Sequence, residues 1–139
     1  MSACKEPQMR ADAMKEQDLL DLECLILALD DLPMDCNGIT DLFSHILERY
    51  GTEHLRMSGM AINEATRERV FPHCWIELPS GTVMDIRLRK WLGDDDEIPH
   101  GIVPKGGAIT YRGAVDPRPR LSIKQLEIMG DFDVKSFVP

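Results

Sequence analysis

The chain has four cysteines, Cys4, Cys24, Cys36 and Cys74, but no C-x-x-C pair among them. That spacing excludes a disulfide-dense framework and leaves reduced thiols in a cytoplasmic setting as the expectation. Basic residues are also scarce. Sixteen Lys and Arg face 24 Asp and Glu, for a formal charge of −8. A general nucleic-acid binder needs a positive footprint, so that class is excluded. Long apolar runs are missing as well. The first 18 residues lack the apolar core of a secretory signal. The longest run, Leu19 to Leu29, is broken by Asp21 and Glu23 and falls short of the ~20 residues a membrane span needs. No internal repeat, low-complexity tract or domain boundary is visible. No cofactor motif is visible either, and none is expected.

What is present suits one folded domain over residues 1–139, with 43% hydrophobic and 29% charged residues. Residues 1–50 hold 11 acidic and 4 basic side chains. Such an acidic half is ordinarily the solvated face of helices, and it would also favour a basic protein partner.

Residues 1–13 are polar and read as flexible. A helical part spans 14–51. Leu19, Leu22, Leu25 or Ile26, and Leu29 recur at helical spacing. The residue before Pro33 is pushed out of the helical region, which ends this helix by Asp30-Asp31-Leu32. A second helix is expected from Cys36 to Tyr50, with Asp35 as its N-cap and Gly51 as the left-handed residue after it. Ile39, Leu42, Phe43, Ile46, Leu47 and Tyr50 form its apolar stripe. One step back along that stripe lies Cys36, so the thiol falls on the inward face at the electropositive helix end. Gly38 either admits a close neighbour or loosens the first turn.

A sheet part is expected over 55–115. Leu55 to Ile62 reads as a weak strand, and 63–69 as a polar connection with some helical character. Val70 to Leu88 is a β-hairpin. The stretch 98–104 is loop or edge strand, because its prolines exclude a central position. Ala108 to Arg112 is a short strand. A short C-terminal helix over 122–130 has Ser122 and Gln125 spaced as a capping box and Gly130 as its stop.

The hairpin decides the chemistry, because side chains alternate faces along a strand. On its first strand His73, Trp75 and Glu77 share a face, and on its second Val83, Asp85 and Arg87 do. A two-residue Ser80-Gly81 loop would put His73 and Asp85 on opposite faces. A three-residue Pro79-Ser80-Gly81 loop pairs position 78 with 82, and the two become diagonal neighbours on one face, about 7–8 Å between backbones. Early proline and late glycine favour the longer loop.

Cys36 has two readings. A helix N-terminus and a nearby imidazolium would pull its thiol below the usual ~8.5 and make a nucleophile; alternatively it is a small buried hydrophobe. His73 is a general base or a satisfied sheet histidine. Asp85, among apolar neighbours, needs a partner, and His73, Arg56 and Arg87 all qualify. If His73 is that partner, the carboxylate fixes its tautomer and leaves the other ring nitrogen for the thiol.

The order Cys36, His73, Asp85 on helix start, strand and strand resembles the papain-like superfamily, and within it the compact transglutaminase-like core. The pieces that carry the resemblance are Cys36 opening a helix, His73-Cys74-Trp75-Ile76-Glu77 opening one strand, and Val83-Met84-Asp85 in the next. They span Pro33 to Leu88, about 40% of the chain. The resemblance implies an α+β fold with N-terminal helices packed on a small antiparallel sheet. It implies Cys36 as nucleophile, His73 as base and then acid, and Asp85 as the orienting group. The sequence departs from the family before the cysteine, where Pro33-Met34-Asp35 supplies no glutamine or tryptophan for an oxyanion hole; the Cys36 N–H and Asn37 are the substitutes. Asp35 also opposes thiolate formation. The block running from His73 through Trp91-Leu92-Gly93 to Pro99-His100-Gly101 is in addition similar to small uncharacterised bacterial and phage proteins.

Three functions follow as expectations. The first is a thiol-dependent hydrolase or acyltransferase acting on an amide, isopeptide or thioester bond of a peptide or protein substrate. Asn37, Trp75, Trp91 and His100 are its substrate-groove candidates. The second is a catalytically silent binding or inhibitory module on the same scaffold. The third, a zinc site built from Cys36, His73 and Asp85 or with His100, lacks any short ligand spacing and ranks last. His45 and His54 read as surface residues.

Overall fold

The computed structural model describes residues 16–136, so the polar lead over 1–13 lies outside the described residues. Four helices and five strands follow in the order α1 (Glu16–Ala28), α2 (Cys36–Arg49), β1 (Leu55–Asn63), β2 (Arg69–Leu78), β3 (Thr82–Asp85), α3 (Arg89–Leu92), β4 (Gly101–Pro104), β5 (Ile109–Val115) and α4 (Ile123–Gly130). The strands form one sheet in the order β4-β3-β2-β1-β5, and every pairing is antiparallel. The fold is α+β, with N-terminal helices packed on an antiparallel sheet. No described helix is long and apolar enough to cross a membrane.

The apolar stripes set the layers. Leu22, Ile26 and Leu29 from the α1 side and Ile39, Leu42, Phe43, Ile46 and Leu47 of α2 are buried against Ile76, Leu78, Met84 and Ile86 from the sheet. Trp75 of β2 and Val83 of β3, alternating with these, pack on the opposite face with Met57 of β1 and Tyr111 of β5. Asp35 caps α2, its Oδ1 accepting the Gly38 N–H at 3.1 Å. Gly51 follows with φ of +68°. Gly38 is tight for a local reason: a Cβ there would meet the Met34 side chain at 3.2 Å.

Several elements differ from the sequence reading. The expected weak strand is β1, an interior strand paired on both sides. Its close approach to β5 comes from two glycines facing each other, Gly59 and Gly113. A Cβ on either would run into the partner backbone, so the smallest residue is required there. Residues 64–66 form a turn with no helix, and Arg67 takes a positive φ of 65°. The second hairpin strand stops at Asp85. The chain bends after it, so Arg87 does not continue the alternation with Val83 and Asp85. Gly130 lies inside α4, and Asp131, with φ of 53°, is the residue that ends that helix. The Ser122–Gln125 capping box forms as read. The stretch over 98–104 yields β4, an edge strand beside β3.

Candidate active site

The β2–β3 turn sets the geometry. Leu78 pairs with Thr82, Glu77 with Val83 and Ile76 with Met84. Pro79–Gly81 closes the hairpin as a three-residue 3-10 turn, with Gly81 at φ +77°. His73 and Asp85 therefore share a face, and the His73 Nε2 lies 2.7 Å from Asp85 Oδ2. His73 is only 1% exposed. Because a carboxylate only accepts, Nε2 carries the proton in this contact. The imidazole also stacks on the Trp75 ring, with centroids 6.0 Å apart and planes at 19°.

Asp85 is fully occupied. Its Oδ2 accepts the Tyr111 hydroxyl at 3.0 Å as well as His73, and its Oδ1 accepts the Arg87 backbone N–H at 3.1 Å. Neither arginine proposed as its ion partner takes that place. Arg56 pairs with Asp41 at 2.8 Å. The Arg87 guanidinium donates to the carbonyls of Met34 and Leu32, both at 2.8 Å, and to Asp30 Oδ1 at 2.9 Å. Arg87 thus fastens the α1–α2 connection, which forms one wall of the site. Burial, then the Asp85 charge, push the Tyr111 phenol well above its ordinary range. Sequence reasoning missed Tyr111. It lies 26 residues beyond Asp85 on β5, across the sheet, and the local pattern carries no sign of it.

Cys36 opens α2, partly buried. It and His73 line the same open cleft of about 670 Å³, together with Asn37, Phe71 and Trp91. They are not bonded to each other, because the buried His73 Nδ1 has no hydrogen-bond partner. The Cys36 thiol is instead coupled electrostatically to the Cys74 thiol. Alternation explains this: Cys74 projects to the sheet face opposite His73, toward the helices. Its sulfur also donates to Asn37 Oδ1 at 2.7 Å.

The two thiols titrate as a pair. The Cys36 thiol pulls Cys74 down to about 7 against its burial. Cys36 is driven well up, first by Cys74, then by burial, with Asp35 adding to the rise. The sequence reading expected a lowered Cys36 thiol. The neighbour that decides its protonation is a second thiol, which the strand register supplies.

The groove candidates divide. Asn37 and Trp91 line the cleft. Trp75 is buried in the second core layer, and His100 sits at a separate depression, its Nε2 3.4 Å from Asp30. His45 and His54 are not free surface residues. His45 Nε2 bonds the Leu121 carbonyl at 2.8 Å, and His54 bridges Ser44 and the Thr52 carbonyl at 2.6 and 3.0 Å. Among the described residues no group of three His, Cys, Asp or Glu side chains is placed to hold a metal ion. The zinc arrangement from Cys36, His73 and Asp85 is therefore not formed.

No protein-family model matches the chain, and neither the curated proteins nor the solved structures contain a match.

Proposed function

We propose that the protein is a thiol-dependent hydrolase or acyltransferase acting on an amide, isopeptide or thioester bond. One observation carries this reading: His73, anchored through Nε2 on Asp85, keeps a buried, unpartnered Nδ1, and His73 and Cys36 line one cleft. The reaction requires the Cys36 thiol to leave Cys74 on the helix face of β2 and reach the imidazole, which projects to the other face, through the cleft that both residues line. Nδ1 takes the thiol proton as sulfur attacks the substrate carbonyl, and an acyl-thioester forms on Cys36. His73 returns that proton to the departing amine or thiol. Water or an amine then releases the acyl group by the reverse sequence. Asp85 steadies the imidazolium and its tautomer. The oxyanion is met by the Cys36 N–H at the start of α2, with the Asn37 side chain beside it.

The test is an activated ester such as p-nitrophenyl acetate, read by product burst and intact mass. The expected result is one acetyl group on Cys36, absent in Cys36→Ala. A protein that stays unmodified, or an adduct that persists in Cys36→Ala, overturns the reading.

A second reading is a catalytically silent protein-binding or inhibitory module. The coupling to Cys74, which with burial drives the Cys36 thiol up, favours it. Capture of a stoichiometric partner that survives Cys36→Ala, with no acyl adduct, selects this second reading.

A further inference from the structure

Two walls of the cleft carry the same pair of side-chain types. On β2, Arg69 precedes Phe71 by two residues, and on α3, Lys90 directly precedes Trp91. All four line the cleft. Phe71 is 72% exposed and Trp91 70%, an unusual state for the largest apolar side chains. The backbone accounts for both. Gly59 pairs with His73 and Ala61 with Val70, so Phe71 and Pro72 bulge from the ladder opposite the single residue Met60. Leu88, just before α3, and Leu92 pack with Ala61, Ile98 and Ile109, while Trp91 stays outward.

The charges point the same way. Arg69 and Lys90 are exposed. Neither is in an ion pair among the described residues; Arg112, Lys124 and Lys135 are in none either, but of these five only Arg69 and Lys90 line the cleft. Two unpaired cations around one opening are conspicuous on a chain of net charge −8. Arg87, the third cation of the lining, is occupied by Asp30. The one carboxylate of the lining, Asp35, is engaged in capping α2. The cleft thus presents two exposed aromatic side chains, each with a cation near it in the chain and in the lining. Aromatic faces alone would also suit a cation, but Arg69 and Lys90 repel one.

We infer that this cleft takes an acidic peptide, with a bulky apolar side chain seated against Phe71 and Trp91 and flanking carboxylates met by Arg69 and Lys90. The assignment names a substrate class and rests on the thiol-enzyme reading above. It is consistent with the cleft's volume, which exceeds one side chain and falls within the range of small-ligand sites.

Fluorescence anisotropy on the full chain carrying Cys36→Ala separates binding from turnover. Three fluorescein-labelled peptides serve as probes: Gly-Glu-Phe-Glu-Gly, Gly-Lys-Phe-Lys-Gly and Gly-Glu-Ala-Glu-Gly, each capped at both ends. The acidic aromatic peptide is expected to bind at least about tenfold tighter than either of the others, and to weaken as salt is raised. Adding Trp91→Ala should erase the difference between Phe and Ala. The Arg69→Glu, Lys90→Glu double change should reverse the charge preference. All three sites are exposed, so the fold tolerates these changes. Equal binding of the three peptides, no binding, or preferences that survive the substitutions overturn the inference. Peptide selectivity without ester acylation of the unsubstituted protein overturns only the thiol chemistry, and acylation without selectivity overturns only the substrate class.

Discussion

His73 and Tyr111 meet on a single atom: the imidazole Nε2 and the phenol hydroxyl lie 2.7 and 3.0 Å from Oδ2 of Asp85. The hydroxyl completes the shell of a carboxylate withdrawn from solvent, and its ring closes over Trp75, with centroids 4.8 Å apart. Tyr111→Phe keeps that ring contact and deletes one donor to a charged group, for a cost of about 1.5–3 kcal/mol. Urea denaturation should show a lower midpoint with an unchanged slope. An unchanged midpoint would mean that the hydroxyl does not support Asp85.

Asp85→Asn preserves volume but turns one oxygen into a donor facing other donors. The His73 tautomer loses its anchor, and acylation of Cys36 by an activated ester should fall by at least about a hundredfold, within the range that proton transfer by a positioned group supplies. Circular dichroism checks that the fold persists. Full acylation in a folded Asp85→Asn protein would remove Asp85 from the mechanism.

The thiol pair gives a signature of its own. Cys74 is held at about 7 by the Cys36 thiol, so thiolate ultraviolet absorbance should gain one step near that pH. Cys36→Ala deletes that neighbour while burial remains, and the midpoint should move upward. A step that stays in place would show that Cys36 is not coupled to Cys74.

His54 makes stability depend on pH. Burial lowers its pKa below the ordinary 6.5, against the pull of the Thr52 carbonyl, and the Arg120 and Arg56 charges lower it further. The unfolded chain then binds the proton more readily than the folded one. Stability is full above about pH 6.5 and declines as the pH falls below it. Thermal denaturation should lose a few degrees between pH 7.5 and 5.5. His54→Gln should reduce that loss, and an identical pH slope in the variant would exclude His54 as a source.

Asp41 is wholly buried and binds Arg56 at 2.8 Å, Arg118 at 3.2 Å and the Leu121 N–H at 2.9 Å. It ties the segment after β5 to α2. Asp41→Ala leaves Arg118 and Arg56 to share Asp116 alone, at 3.2 and 3.9 Å, and should cost about 3 kcal/mol, the low end for a broken buried pair. Arg118→Ala, at the more exposed end, should cost no more than about 1 kcal/mol. Equal midpoints for the two variants in urea would contradict this ordering.

The sequence by itself determined the local elements and one register. The α2 stripe, the Asp35 cap, the Ser122–Gln125 box and the Pro79-Ser80-Gly81 turn are short-range features, set by residues within a few positions of each other. That turn alone brought His73 and Asp85 together, because one residue more or less in a hairpin loop reverses every side chain on a strand. The sequence also put Cys36 at the start of a helix. Only the tertiary structure decided what meets that thiol. The docking of α2 on the sheet selects Cys74 from the inward face of β2, one position from His73. No spacing along the chain encodes which strand residue lies under a helix end. The same holds for Tyr111 on Asp85 and for Arg87 on the 30–34 connection. Each is a partner separated by 26 or more residues, brought into place by the order β4-β3-β2-β1-β5 and the bend after Asp85.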